Sequence, residues 1–187
     1  MEYEDTLRNH FLIAMPSLAD DNFFHTVTYI CEHTAEGAMG IVINRLLDMN
    51  LGELLTQLGL EITDKEVIAA PVYQGGPVTP EQGFILHQPL GSWEATLAVG
   101  EDIGLTVSKD ILEAIAQGKG PEHYMVALGY AGWGEGQLEQ EMLQNSWLSG
   151  PADSGILFET ELDKRWSRAA SLLGIDLGLL SSETGHA

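Results

Sequence analysis

The stretch from Gly129 to Glu141 constrains the fold more than any other part of the chain. The apolar run Tyr124–Leu128 predicts a strand. Four glycines interleaved with Tyr130 and Trp133 then predict a loop, and Gln137 to about Ser146 predicts a helix with Leu138, Met142 and Leu143 as its apolar contacts. A strand, a glycine loop and a helix start commonly cradle phosphate, because bare backbone N–H groups and the helix dipole attract anions. The charges here oppose that use. No Lys or Arg lies between Lys119 and Lys164, and Glu135, Glu139 and Glu141 occupy the place where a phosphate needs positive potential. Tyr130 and Trp133 are instead the candidate partner-binding residues, since Tyr and Trp are enriched at interface hot spots. The competing reading turns both rings inward to plug the end of the core.

A chain of 187 residues fits one domain, and 44% hydrophobic residues suffice for a substantial core. Segments 1–5 and 181–187 lack apolar periodicity and are expected to be flexible. The formal charge of −20, from 28 acidic and 8 basic residues, argues against direct binding to nucleic acid or to an anionic membrane surface. It suits solubility, or recruitment of a basic protein partner. The single cysteine, Cys31, excludes an intrachain disulfide, and no stretch approaches a membrane span or a signal-peptide core. The expected location is cytoplasmic.

Four helices are expected. Asn50 with Glu53 opens one like a capping box, before the stripe Leu51, Leu54, Leu55, Leu58 and the stop at Gly59. Ser108 opens a second, Thr160 with Asp163 a third, and the helix after the glycines is the fourth. Short strands are expected at Phe11–Met15, Val27–Glu32, Gly40–Asn44, Val72–Gln74, Phe84–His87, Thr96–Val99 and Ile156–Phe158. Several strands precede the first helix, so the expected architecture is a single α+β domain with a mixed, curved β-sheet flanked by about four helices.

Cys31-Glu32-His33 is the one place where a thiol stands near a histidine, making Cys31 and His33 the only catalytic candidates. On a strand their Cα atoms lie about 6.6 Å apart, too far for a ready thiol–imidazole bond, so a structural Cys31 is the simpler reading. A histidine from elsewhere, His10, His25 or His87, is the alternative source of activation. The six histidines show no metal-site spacing, and Asp20-Asp21-Asn22 lacks the glycine and terminal glutamate of a calcium loop. No cofactor or metal is expected. Gly75-Gly76-Pro77-Val78 reads as a sharp turn after a strand.

The blocks His10–Pro16, Thr28–His33, Gly37–Arg45, Gly75–Val78, Gly83–His87, Leu128–Glu141, Asn145–Leu148 and Leu157–Trp166, in this order, resemble the bacterial YqgE/AlgH family over nearly the whole chain. The resemblance implies a compact α+β domain with no catalytic residue or cofactor to carry over. It also implies a regulatory role, one branch being labelled a regulator of alginate production. Leu46 stands where the family has proline after Asn44-Arg45 or its equivalent. The leading expectation is therefore a cytosolic regulatory or adaptor protein that binds another protein and touches transcription only indirectly. The alternative is a thiol-dependent enzyme or small-molecule sensor using Cys31.

Overall fold

The structure, a computed structural model, describes residues 6–18, 20 and 23–176. Both terminal segments expected to be flexible lie outside the described residues. The chain runs β1 (His10–Ala14), β2 (Val27–Thr34), β3 (Gly37–Val42), β4 (Leu46–Asn50), α1 (Leu51–Gln57), α2 (Lys65–Ala69), β5 (Pro71–Gln74) and β6 (Val78–Gln88). It continues with β7 (Thr96–Ala98), β8 (Gly104–Thr106), α3 (Lys109–Ala116), β9 (His123–Trp133), α4 (Gln137–Leu143), β10 (Trp147–Pro151) and α5 (Ser154–Phe158). A 3-10 turn, Leu162–Lys164, leads into α6 (Arg165–Ser171).

The strands form one curled sheet, a half-barrel, in the order β10-β1-β2-β3-β9-β6-β8-β7. Neighbours along this path are antiparallel; β5 adds a parallel pair, Val72↔Val126 to Gln74↔Leu128, and carries β4 on its other side. The domain is thus α+β with a mixed, curved sheet, as expected. Its β7 end is held down by the segment before β1: the Arg8 guanidinium donates to the carbonyls of Ala98 and Val99.

Strand β9 organises the interior, because its side chains alternate between faces. Met125 and Ala127 enter a core with Phe11, Tyr29, Ile41, Phe84 and Leu86, closed by Ala169 and Ala170 of α6. Val126 enters a second core with Ile85, beneath Leu51 and Leu55 of α1 and Ile111 and Ile115 of α3. Ala131 and Trp133 join a third with Leu12, Ile30, Trp147 and Leu138 of α4. Burying one large aliphatic or aromatic side chain stabilises by about 1.5–3 kcal/mol, so these layers supply most of the drive to fold.

Among the described residues there are six α-helices rather than about four. Asn50 does cap α1, its side chain accepting from Glu53 N at 2.9 Å. Asp64 caps the additional α2 in the same way through Glu66 N. Ile156–Phe158, expected as a strand, lies in α5, because Asp153 accepts from Ile156 N at 3.0 Å and sets a helical turn. Thr160 is not a helix cap: its hydroxyl donates to the Gly155 carbonyl, and α6 starts only after the 3-10 turn. Strands β4, β8 and β10 were not foreseen from the sequence, and β6 and β9 each run to 11 residues.

Candidate functional site

The segment read as a glycine loop continues β9 as far as Trp133. Its first glycine allows two stretches of backbone to touch. Gly129 has φ 78°, and a Cβ there would lie 2.3 Å from the Gly76 carbonyl oxygen. A Cβ on Gly75 would lie 2.3 Å from the Gly129 carbonyl oxygen, and one on Gly76 would lie 2.1 Å from the Tyr130 carbonyl carbon. No side chain fits such a crossing. The turn Gly75-Gly76-Pro77 and the start of the glycine-rich stretch, two separate motifs in the sequence, are therefore one packing device.

Strand geometry also separates the two aromatics. Residues 130 and 133 differ by an odd number, so their rings leave opposite faces of the strand, instead of sharing a loop. Trp133 is buried and takes part in the third core. Its indole N–H and that of Trp147 both donate to Oε1 of Glu141, each at 2.9 Å, while Gln137 donates to Oε2 at 3.0 Å. The Trp133 and Trp147 rings meet edge to face at 6.0 Å. Glu141 of α4 thus clamps that helix to the sheet.

Tyr130 remains half-buried and lines a surface trough of about 630 Å³. The floor is β3 and β9, with Met39, Tyr130 and the exposed Gly132. One wall is the end of the β2–β3 hairpin, carrying Glu32, Thr34 and Glu36. The other is β6, whose register against β9 jumps from Val78↔Tyr130 to Gly83↔Leu128, so that residues between them arch away from the sheet. Thr79, at the start of this arch, has φ 46°, a conformation uncommon outside glycine, asparagine and aspartate. Phe84 meets the Tyr130 ring edge to face at 5.4 Å beneath the opening. No Lys or Arg lines the trough.

Cys31 is fully buried in the first core, with its thiol 3.6 Å from the Tyr29 carbonyl. Burial, reinforced by the charge of Glu32, pushes its pKa far up, opposite to what a nucleophile needs. His33 does not serve it. Its Nδ1 accepts from Leu7 N at 2.9 Å, which leaves the proton on Nε2 to reach Glu139 at 3.0 Å. The Glu139 carboxyl is held below its usual range by a backbone hydrogen bond and by His33. His33 therefore joins the segment before β1 to α4, two segments that no sequence motif pairs. Cys31 and His33, two residues apart in sequence, thus lie in different environments.

A family model described as AlgH-like matches residues 11–178. The chain belongs to the AlgH-like family. It is 56% identical over 180 residues to a protein of Nitrosococcus oceani described as a UPF0301 protein, covering 96% of each chain. A UPF0301 protein of Thioalkalivibrio sulfidiphilus is 52% identical over 187 residues, the full length of both. The solution structure of AlgH from Pseudomonas aeruginosa is 47% identical, with a TM-score of 0.81 over 98% of this chain and 97% of that one. A crystal structure of a Corynebacterium diphtheriae protein shares the fold at 19% identity, with a TM-score of 0.75 over 95% and 92% of the two chains.

Two buried polar groups of this AlgH-like chain remain: Arg165, not singled out from the sequence, and His87, named there only as one histidine that could activate Cys31. His87 is fully buried; its Nδ1 donates to the Pro89 carbonyl at 3.0 Å and its Nε2 accepts from the Thr106 hydroxyl at 2.7 Å. Burial lowers its pKa, as it does for His25. Arg165 donates to the carbonyls of Thr160 and Ile43 and lies 5.3 Å from the centre of the Tyr73 ring. Both join segments distant in sequence. Among the described residues no cluster of His, Cys, Asp or Glu could hold a metal ion, and no helix is long and apolar enough to cross a membrane.

Proposed function

We propose that the protein is a non-enzymatic regulatory or adaptor module that binds another protein through the trough around Tyr130. The observation carrying this reading is the lining: an aromatic and aliphatic floor of Tyr130, Phe84 and Met39 beneath a rim bearing Glu32 and Glu36. An apolar centre with a polar rim is the usual anatomy of a protein-binding patch. Among the described residues lining this trough no hydroxyl is bonded to a carboxylate or imidazole that could activate it, and the buried Cys31 offers little to the thiol-enzyme alternative. A solved relative from Pseudomonas aeruginosa carries the name AlgH. With a charge of −20, any effect on transcription passes through a protein and not through a grip on DNA, and the site of action is the cytoplasm.

A photo-crosslinking amino acid at position 130, introduced in living cells, tests the reading. We expect a discrete protein adduct that disappears when Gly132→Leu fills the trough. Gly132 is exposed, and the nearest neighbours of a Cβ there are the Tyr130 ring at 3.3 Å and Val78 at 3.8 Å, both lining the trough, so the substitution acts on the trough. Adducts that are absent, or unchanged by Gly132→Leu, would defeat the proposal.

A further inference from the structure

The trough contains an interrupted sheet edge as well as a surface. Residues Ala131–Trp133 pair with β3 on one side, as Gly40↔Ala131, Met39↔Gly132 and Ala38↔Trp133. On the other side β6 reaches β9 only as far as Val78↔Tyr130. Past that pair, among the described residues, no strand flanks β9 on its β6 side. Gly132 presents no side chain at this point, so another backbone can approach closely. Unpaired strand edges take up extended peptides through main-chain hydrogen bonds, while neighbouring pockets read the side chains.

The pocket chemistry selects the side chain. Glu32 and Glu36 stand on the hairpin wall, both exposed, with no cation among the lining residues to neutralise them. Neither forms an ion pair with another described residue. The Tyr130 ring supplies an aromatic surface between the two walls, which suits a cation as well as an aliphatic chain. A Lys or Arg side chain meets each demand, its stem on Met39 and Tyr130 and its charge toward the carboxylates.

From this geometry, and resting on the protein-binding reading above, we infer that the trough receives an extended peptide segment of a partner protein, added as a strand alongside Ala131–Trp133, with a Lys or Arg flanked by apolar residues lying between Tyr130 and the Glu32–Glu36 wall. The acidic chain as a whole favours the encounter with such a segment and makes it sensitive to salt.

The test pans a phage-displayed library of short random peptides on the full-length protein. Selected peptides are then synthesised and measured by fluorescence anisotropy against wild type, Gly132→Leu, and the double variant Glu32→Gln with Glu36→Gln. Circular dichroism confirms that each variant is folded. We expect peptides carrying a Lys or Arg beside aliphatic residues, binding lost in Gly132→Leu, and affinity weakened roughly three- to tenfold in the double variant. The salt dependence should be shallower in that variant. Peptides that need an open trough but lack a basic residue, or bind the double variant equally, would overturn the basic-segment inference and leave the trough as a binding site. An empty selection, or peptides indifferent to Gly132→Leu, would overturn both.

Discussion

Glu141 illustrates how a surface-looking residue becomes structural. On the sequence alone it is one acid among several after a glycine run, and its charge served only to argue against phosphate. In the fold one of its oxygens accepts from two buried indoles, Trp133 and Trp147. A buried donor left unpaired costs about 1–3 kcal/mol, so Glu141→Ala should destabilise through both indoles and lower the melting temperature by several degrees. Glu141→Gln keeps one acceptor oxygen and should fall between. Thermal denaturation of the three proteins decides it; equal melting temperatures would show that the clamp contributes nothing. Tyr130 was legible as a candidate contact from its residue type and setting. The inward turn of Trp133 was legible too, as a competing reading, but choosing between the two required knowing that position 133 lies on a strand.

At the scale of elements, local signals were read well and non-local ones poorly. Asn50 with Glu53 marked α1 because capping is decided within a few residues. The glycines of β9 looked like a loop because their cause lies at Gly75-Gly76, more than fifty residues away in the chain. The arch in β6 and the unflanked end of β9, which together make the trough, depend on a register that no short window contains. The crossing of these two backbones makes a firm prediction. Gly129→Ala requires a Cβ at positive φ and within 2.3 Å of a carbonyl oxygen, so it should abolish folding or cost several kcal/mol. Soluble yield and chemical denaturation measure this, with Gly136→Ala as the comparison: it also has positive φ, 75°, but nothing within 4 Å. Similar losses in both would show that the conformation matters and the close contact does not.

For the whole molecule, acidity sets the conditions under which the fold is secure. Burial lowers the pKa of His25 and His87, so the native state binds fewer protons than the unfolded chain just below the ordinary imidazole value, about 6.5. Stability is then fully present above that value and declines as pH falls below it toward the lowered native pKa values. The lowered carboxyls Asp110 and Glu139 add their own loss at more acidic pH, below about 4.5. Urea denaturation should give a lower midpoint at pH 5.5 than at pH 7.5, and His87→Gln should narrow the gap even if it weakens the protein at both. An unchanged gap in the variant would assign the effect elsewhere.

The path of β9 through all three cores has a consequence for how the molecule comes apart. A protein whose cores were carried by separate strands could open one layer and keep the others, exposing a partly folded surface. Here the same backbone is wedged into each of them, so pulling β9 out of one loosens its hold on the next. Large openings are therefore tied together, and the smaller motions are left to the edges, where β7 and β10 end the sheet.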